Sequence, residues 1–269
     1  GSGTASDYSF NSCFGNLSFN YKGKYIIAGT LRRDGSSRFG INNQYGTFPS
    51  ASIAWNISKE YFLERVDFIN DLKLRASYGS AGNAELGNYG AKQTFGFGAN
   101  YNGNPGGTFN TLGNVSLTWE KDNQFDIGFD ASLLKDRISL VVDFYNRISS
   151  GLLFGVPISQ VTGFGTITEN VGKLQNKGVE ITINATPIST KNFTWDISWN
   201  FTHNTNRLKT LPPGQTQIVN GQFLVKPGLD INTWYMREWA GVDPANGNPR
   251  WYLDSSKSST TSYYSTGTT

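Results

Sequence analysis

The segment from Phe193 to Asn204 alternates between large apolar and polar side chains, and this alternation restricts the folds open to the chain more than any other feature. Successive side chains of a β-strand point to opposite faces of the sheet. The apolar face comprises Phe193, Trp195, Ile197, Trp199 and Phe201, and the polar face comprises Thr194, Asp196, Ser198, Asn200 and Thr202. About 9–11 residues cross a bilayer as a tilted strand, so this segment is long enough to face lipid on one side and water on the other.

The same alternation recurs along most of the chain and predicts eight antiparallel strands. They cover residues 13–21, 25–31, 50–57, 72–78, 125–133, 138–144, 179–186 and 193–204. The connections between them are alternately short and long, as periplasmic turns and extracellular loops are in outer-membrane barrels. The long loops are predicted at residues 34–46, 80–118 and 148–176, with a last one from about Thr205 to Trp251. We therefore predict an all-β fold, an antiparallel transmembrane β-barrel wall with long extracellular loops.

Charged residues inside these strands fall on one face only. They are Lys73, Arg75, Asp126, Asp130, Asp143, Glu180 and Asp196. A Lys or Arg on the lipid face near the midplane costs about 2–4 kcal/mol, so a bilayer selects this segregation. Residues 58–69 interrupt the alternation, and Ser58 at their start predicts the N-cap of a short helical turn on the side of the short connections.

Composition excludes several other classes of protein. The mean hydropathy is -0.39, and no run of about 18 apolar residues exists to form a membrane helix. The single cysteine, Cys13, excludes an intramolecular disulfide and a thiolate metal cluster. The net charge of +3 comes from basic and acidic residues scattered singly. Because no basic stripe is present to neutralise a phosphate backbone, we do not expect a nucleic-acid partner.

Several longer stretches carry a resemblance that goes beyond periodicity. They are residues 31–40, 45–50, 69–79, 117–121, 172–180 and 239–244, the last followed by Gly247 and Pro249. The first reads Leu-Arg-Arg-Asp-Gly-Ser-Ser-Arg-Phe-Gly, and the third reads Ile-Asn-Asp-Leu-Lys-Leu-Arg-Ala-Ser-Tyr-Gly. In content and order these stretches resemble the SusC/RagA family of TonB-dependent outer-membrane transporters. The resemblance covers nearly all of the chain from about Phe14 to Trp251.

The resemblance implies a barrel of about 22 strands whose lumen is plugged, as in other large outer-membrane transporters. Eight strands are too few for such a barrel. Residues 1–269 are therefore expected to be an interior part of the barrel domain, without the plug domain, the segment that engages TonB, or the closing C-terminal strands.

The resemblance also implies a function and its partners. Members of the family import oligosaccharides or peptides across the bacterial outer membrane. They work with a SusD-like surface lipoprotein that caps the barrel, and with TonB, which would act through parts that this chain lacks. Import of such cargo across the lipid bilayer, without covalent chemistry, is the expected function.

We identify no catalytic residue, metal site or cofactor site in the sequence. His203 is the only histidine, and it continues the apolar face of its strand, so we interpret it as a residue at the membrane boundary. The oxygen-rich segment 243–249 lacks the terminal acidic ligand of an EF-hand loop and is interpreted as a turn. Residues 34–38 are interpreted as an extracellular hairpin turn, with Arg38 free to pair with a carboxylate.

The long loops hold the better binding candidates, because sugars and peptides are gripped by aromatic rings together with hydrogen-bonding groups. The candidate residues for contact with substrate or partner are Phe95, Phe97, Tyr101, Trp234, Tyr235 and Trp239. The alternative is that these rings pack the loops against one another or against the lipoprotein.

Two other functions stay open at this point. Eight strands can close into a small barrel that serves only as an outer-membrane anchor, which requires the first and last strands to pair. A soluble carbohydrate-binding β-sandwich would also segregate charge, but its apolar faces would meet across a core.

Overall fold

The computed structural model describes residues 5–253 and 255–262, whose regular structure is almost entirely β-strand. The chain divides into two compact units, Gly1–Thr205 and Asn206–Thr269, which we describe separately. No helix among the described residues is long and apolar enough to cross a membrane, a finding that does not bear on strands that cross one in a β-barrel.

The first unit is built on one large antiparallel sheet. Its strands, with a separate hairpin formed by β5 and β6, are β1 (Phe10–Tyr21), β2 (Tyr25–Ser36), β3 (Tyr45–Asn56), β4 (Ile69–Asn83), β5 (Thr94–Tyr101), β6 (Asn104–Thr111), β7 (Glu120–Leu133), β8 (Ile138–Pro157), β9 (Thr166–Ser189) and β10 (Thr194–Thr210). The sheet has the order β1-β2-β3-β4-β7-β8-β9-β10. These are the eight predicted strands in sequence order, so the predicted fold is confirmed.

The two edges of the sheet are β1 and β10, which do not pair with each other among the described strands. Side-chain bonds from Thr182 to Asn200 and from Thr186 to Asp196 instead join β10 to β9. The pairing of first and last strands that a closed eight-stranded barrel requires is absent among the described strands, so that alternative is wrong.

The register of the sheet forms a continuous apolar face. One row across six neighbouring strands comprises Ile27, Ile53, Ala76, Ile127, Phe144 and Val179. Four of its members are exposed, Ile27 to 54%, Ile53 to 58%, Ile127 to 40% and Phe144 to 57%, and Ala76 and Val179 are half-buried. A β-sandwich would bury these groups against a second sheet. Their exposure fits a wall that faces lipid and argues against the sandwich.

The connections fall into two sets, which define a short-turn end and a long-loop end of the sheet. The predicted turn at Lys22 and Gly23 is confirmed, with φ of 54° and 65° at these two residues. Two consecutive left-handed residues give a turn whose twist matches that of the flanking strands. The turn around Lys135 is likewise confirmed, with φ of 55° to 62° over residues 134–136.

Two predicted loops are wrong in extent. The ladder between β8 and β9 continues to the pair Pro157 and Thr166, so the loop covers only residues 158–165 and not 148–176. Strand β2 continues through Ser36, so the loop predicted to begin at residue 34 begins later. Strands pair through their backbones and do not need alternating apolar and polar side chains. Only the part of a strand inside the bilayer has to alternate, so the parts outside it could not be predicted from this pattern.

The predicted helical segment 58–69 contains two 3₁₀ turns, Ile57–Lys59 and Tyr61–Leu63. Ser58 lies inside the first turn and is not an N-cap. Its hydroxyl instead donates to the Asp71 carboxylate at 2.8 Å. The turn begins at Ile57, so its N-cap position falls on Asn56, whose side chain makes no capping hydrogen bond. The turn does lie at the short-turn end, as predicted.

Buried apolar side chains of the first unit gather among the long connections. They are Phe39, Phe48, Ala84, Ala91, Leu117 and Trp119, with Leu86 and Leu153 packed against them. The Trp119 ring contacts those of Phe39 and Phe48 at centroid distances of 5.3 and 5.4 Å. This core fixes the predicted loop 80–118, which is therefore an ordered part of the fold and also contains the β5–β6 hairpin.

The second unit contains two small sheets of three strands each. The first comprises β11 (Ile218–Asn220), β12 (Phe223–Val225) and β13 (Thr233–Trp234), and the second comprises β14 (Trp239–Val242), β15 (Pro249–Tyr252) and β16 (Thr260–Thr261). The predicted loop from about Thr205 to Trp251 is therefore structured.

Candidate functional site: the polar wall and the long connections

The polar face of the large sheet carries an ion network at its middle. The Arg75 guanidinium on β4 donates from Nε to an Asp130 oxygen on β7 at 3.1 Å. Its Nη2 lies 2.7 Å from Asp143 Oδ1 on β8. The Lys73 ammonium lies 3.9 Å from Asp130. Four charged residues predicted from sequence to share one face are thus brought into contact.

Gly128 makes the span of Arg75 possible. It lies on β7, directly opposite Arg75 of β4 on one side and Asp143 of β8 on the other. A Cβ at residue 128 would approach Arg75 Nη1 to 2.5 Å and Asp143 Oδ1 to 2.6 Å. The Arg75 guanidinium therefore occupies the space that a Cβ at residue 128 would take. Only glycine at this position leaves room for it.

Nearer the long-loop end, the polar face forms an open cleft of about 500 Å³. Asp122 on β7 accepts hydrogen bonds from Arg147 and Ser149 on β8. Asp126 accepts from Ser77 at 3.2 Å and has no ion-pair partner among the described residues. The cleft is lined by Thr30, Ser50, Ser52, Ser77, Gln124, Asp126 and Arg147, among others.

A second open cleft of about 490 Å³ continues the polar face toward β9 and β10. Tyr145 on β8 donates its hydroxyl to Asn204 at 3.1 Å. Asn176 and Glu180 on β9 line the same cleft. The two clefts together give a concave surface of hydroxyl, amide and charged groups. Such a surface binds water and polar solutes by exchangeable hydrogen bonds, as the lumen of an outer-membrane barrel does.

The described residues contain no group of three or more metal-ligating side chains close enough to hold a metal ion. The segment predicted as a turn at 243–249 is a turn. The Asp243 carboxylate accepts from the Ala245 backbone amide at 3.0 Å and from Arg250 at 2.7 Å. These two donors, the amide first, lower the pKa of Asp243 below its ordinary value. The carboxylate is thus engaged in holding the turn.

The interpretation of residues 34–38 as a hairpin turn is wrong for residues 34–36, which belong to β2, whereas Ser37 and Arg38 do lie in a turn after it. Asp34 lies inside β2, is buried, and pairs with Arg32. Arg38 pairs with no carboxylate among the described residues: it donates to Asn88 Oδ1 and to the Ala84 carbonyl, both at 3.1 Å. Its guanidinium also stacks on the Tyr8 ring at 4.4 Å. Arg38 therefore ties together three segments of the first unit, a role that sequence reasoning missed because its partners lie far along the chain.

The structure places the predicted aromatics of the second unit on its small sheets. Trp234 is 63% exposed and stacks on Phe223 at 4.8 Å. Trp239 is 54% exposed and contacts Trp251 edge to face at 5.8 Å. Tyr235 is half-buried beside Trp234. Each tryptophan thus packs against one aromatic ring, and the rest of its side chain is exposed. The two tryptophans lie on different small sheets.

The predicted aromatics of the first unit lie on the β5–β6 hairpin. Phe97 is 88% exposed. Phe95 is 56% exposed and packs on Phe109 of the paired strand at 4.9 Å. Tyr101 ends β5, and its side chain lies outside the described part of the structure. The hairpin therefore presents an apolar patch of at least three rings on a Gly- and Asn-rich support.

The whole chain, residues 1–269, matches the family model described as TonB dependent receptor-like, beta-barrel. It is 39% identical over 238 residues to TonB-dependent receptor P39 of Formosa agariphila, covering 88% of this chain and 23% of that receptor. It is 38% identical over 211 residues to TonB-dependent receptor SusC of Bacteroides thetaiotaomicron, covering 76% of this chain and 21% of SusC.

Among solved structures, the chain is similar to that of the RagAB peptide transporter. The TM-score is 0.87 at 32% identity, and the match covers 96% of this chain and 29% of that chain. The chain thus spans about a quarter of the length of the relatives that it matches.

Proposed function

Because the chain belongs to the family of TonB-dependent receptor β-barrels, and within it to the SusC and RagA type, we propose that the complete protein imports oligosaccharides or peptides across the outer membrane. In this proposal residues 1–269 form an interior part of the barrel domain, and other parts of the complete protein supply the plug, the contact with TonB and the remaining strands.

The observation that carries this proposal is the two-faced wall. The apolar row through Ile53 and Phe144 is exposed, whereas the opposite face holds its charges in clefts of about 500 and 490 Å³. A wall of this kind separates lipid from a water-filled path. Its polar groups exchange hydrogen bonds with a hydrophilic solute and offer no nucleophile or acid pair for covalent chemistry.

Both cargo classes are compatible with these groups, because hydroxyls, amides and paired charges bind sugars and peptides alike. The similarity to a peptide transporter supports peptides. The exposed indole rings support oligosaccharides, whose faces stack on tryptophan. The experiment must therefore measure both.

We further propose that the long connections contact cargo or a SusD-like lipoprotein cap. In the second unit the contact residues would be Trp234, Tyr235 and Trp239. In the first unit they would be Phe95 and Phe97, with Tyr101. Large exposed rings on a fixed support are the usual anchors of such contacts, because they bury much area at little entropic cost.

The test replaces Trp234, Tyr235 and Trp239 together by alanine in the complete transporter. We expect weaker uptake of labelled oligosaccharide or peptide, or weaker co-purification of the lipoprotein, with unchanged amounts of folded barrel in the membrane. Val242→Ala is the matched control, since Val242 is 58% exposed on the same small sheet as Trp239. Uptake and co-purification that both equal the control would remove these residues from the mechanism.

A further inference from the structure

The connection between β3 and β4, residues 57–68, carries exposed aromatic rings at the short-turn end. Tyr61 is 75% exposed, Phe62 65% and Phe68 56%. The neighbouring connection between β1 and β2 has only three residues, 22–24. An apolar group of this size on a surface connection marks a contact with a partner protein or with a membrane.

Part of the backbone of this connection is hydrogen-bonded within the connection itself. The amide of Leu63 donates to the Glu60 carbonyl at 3.0 Å, and that of Val66 donates to the Leu63 carbonyl at 3.0 Å. The amide of Ile69 donates to the Val66 carbonyl at 3.2 Å. Unpaired backbone groups are costly in a bilayer. These internal hydrogen bonds reduce that cost for a connection that enters the boundary region of a membrane.

Glu60 fastens the connection to the apolar side of the sheet. Its carboxylate accepts from Tyr25 Oη at 2.7 Å and from Trp55 Nε1 at 3.1 Å. It also pairs with Lys24 at 3.1 Å. Tyr25 and Trp55 end the apolar rows of β2 and β3, and their rings stack at 6.5 Å. The exposed rings therefore continue the lipid-facing band of the wall.

Two lysines at this end of the wall can meet an anionic lipid surface, and the connection also carries the exposed acids Glu64 and Asp67. The Lys59 ammonium lies against the β1–β2 turn, so that a Cβ on Gly23 would meet Lys59 Nζ at 2.6 Å. Lys22, in the same turn, is also exposed. Neither lysine forms an ion pair with a carboxylate within the described residues. Both ammonium groups are thus available at the level where lipid phosphates lie.

From these observations we propose that residues 57–68 are an interfacial lipid anchor. Tyr61 and Phe62 enter the boundary between headgroups and acyl chains in the leaflet at the short-turn end, and Glu60 holds the connection in that position. Aromatic side chains favour this boundary because their rings are apolar and their edges are polar. The inference rests on the membrane position of the barrel and is independent of cargo and of any cap.

The test measures the depth of residue 62 in the complete transporter. A nitroxide is attached after Phe62→Cys in protein with Cys13→Ser and no other cysteine, reconstituted in vesicles of phosphatidylethanolamine and phosphatidylglycerol. Collisions with oxygen, which concentrates in lipid, are compared with collisions with a water-soluble nickel chelate. The control is Val161→Cys, because Val161 is 92% exposed in a connection at the long-loop end.

We expect a positive depth parameter at residue 62, where oxygen collisions exceed nickel collisions, and the reverse at residue 161. Nickel collisions that dominate at residue 62 would show that the connection faces water and would overturn the proposal. A label shielded from both reagents would also overturn it, since the rings would then be covered by protein.

A second variant tests the role of Glu60. Glu60→Gln keeps the size of the side chain and removes the charge that Tyr25, Trp55 and Lys24 share. We expect the label at residue 62 to become more mobile and to shift in depth. Glu64→Gln, an exposed acid of the same connection, should change neither quantity. If the two variants behave alike, Glu60 does not hold the anchor in place.

Discussion

Replacing Gly128 by alanine should destabilise the barrel, although alanine is normally the better residue in a strand. A Cβ at this position would overlap the Arg75 guanidinium and approach Asp143 Oδ1 to 2.6 Å. The guanidinium must then move and lose its bonds to Asp130 and Asp143. The substitution leaves all the charged residues in place. A loss of stability would therefore come from the displaced guanidinium and not from a missing charge.

The expected magnitude follows from the exposure of the network. A hydrogen bond to a charged group contributes about 1.5–3 kcal/mol when buried, whereas an exposed ion pair contributes about 0–1 kcal/mol. The Arg75 side chain is 34% exposed and those of Asp130 and Asp143 are 27% exposed, between these limits. We assign about 2 kcal/mol to both contacts together. Replacing glycine in a strand returns about 0.5–1 kcal/mol, which leaves a net loss of about 1 kcal/mol.

The measurement is the free energy of unfolding of the complete barrel in lipid vesicles, from urea titration followed by tryptophan fluorescence. Gly29→Ala is the matched control, because a Cβ there would meet only the Ser50 carbonyl oxygen, at 3.9 Å. It should be neutral or slightly stabilising. If Gly128→Ala changes the free energy of unfolding no more than Gly29→Ala does, the glycine does not serve the ion network. The same conclusion follows if Gly128→Ala is as destabilising in a protein with Arg75→Ser as in the parent protein.

Two further changes test the wall and its short-turn end. Trp199→Arg should impair membrane assembly by about 2–4 kcal/mol, the cost of a cation on the lipid face, whereas Asp196→Asn on the polar face should not; equal yields of heat-modifiable folded barrel in both variants would show that the facing is wrong. The pKa of Glu60 is lowered from 4.5 to about 2 by hydrogen bonds from Tyr25, Trp55 and Lys24. Its contribution to stability is therefore present above pH 4.5 and lost as pH falls toward 2. The urea midpoint of Glu60→Gln should vary less over this range than that of the parent, and identical pH profiles would contradict the assignment.

The strands could be predicted because a bilayer imposes a pattern on every residue inside it. Each of the eight alternating segments is a strand of the large sheet, and each of the short turns lies where the alternation stops. Outside the bilayer that constraint ends. The outer parts of β8 and β9 form a regular ladder to Pro157, yet their side chains carry no alternation from which the ladder could be predicted.

The candidate site was predictable only in part, for a related reason. Alternation places Arg75, Asp130 and Asp143 on one face, but it does not give the register that brings them within hydrogen-bonding distance. Arg38 and Asn88 are 50 residues apart, and no local pattern links them. Their contact depends on how the long connections pack around Trp119, which is a property of the whole fold.

Glycines on the polar face explain how the wall holds its charges. Gly128 lies under Arg75, and Gly178 lies beside Tyr145, whose hydroxyl a Cβ at residue 178 would approach to 2.6 Å. In both places a long polar side chain lies along the wall and bonds to a neighbouring strand, Tyr145 to Asn204 at 3.1 Å. A side chain held in this way lies along the wall, and part of its hydrogen-bonding capacity is used by a neighbouring strand. In the transport function proposed for the complete protein, a solute would meet many weak contacts and few strong ones along this wall, as a path that cargo must leave as well as enter requires.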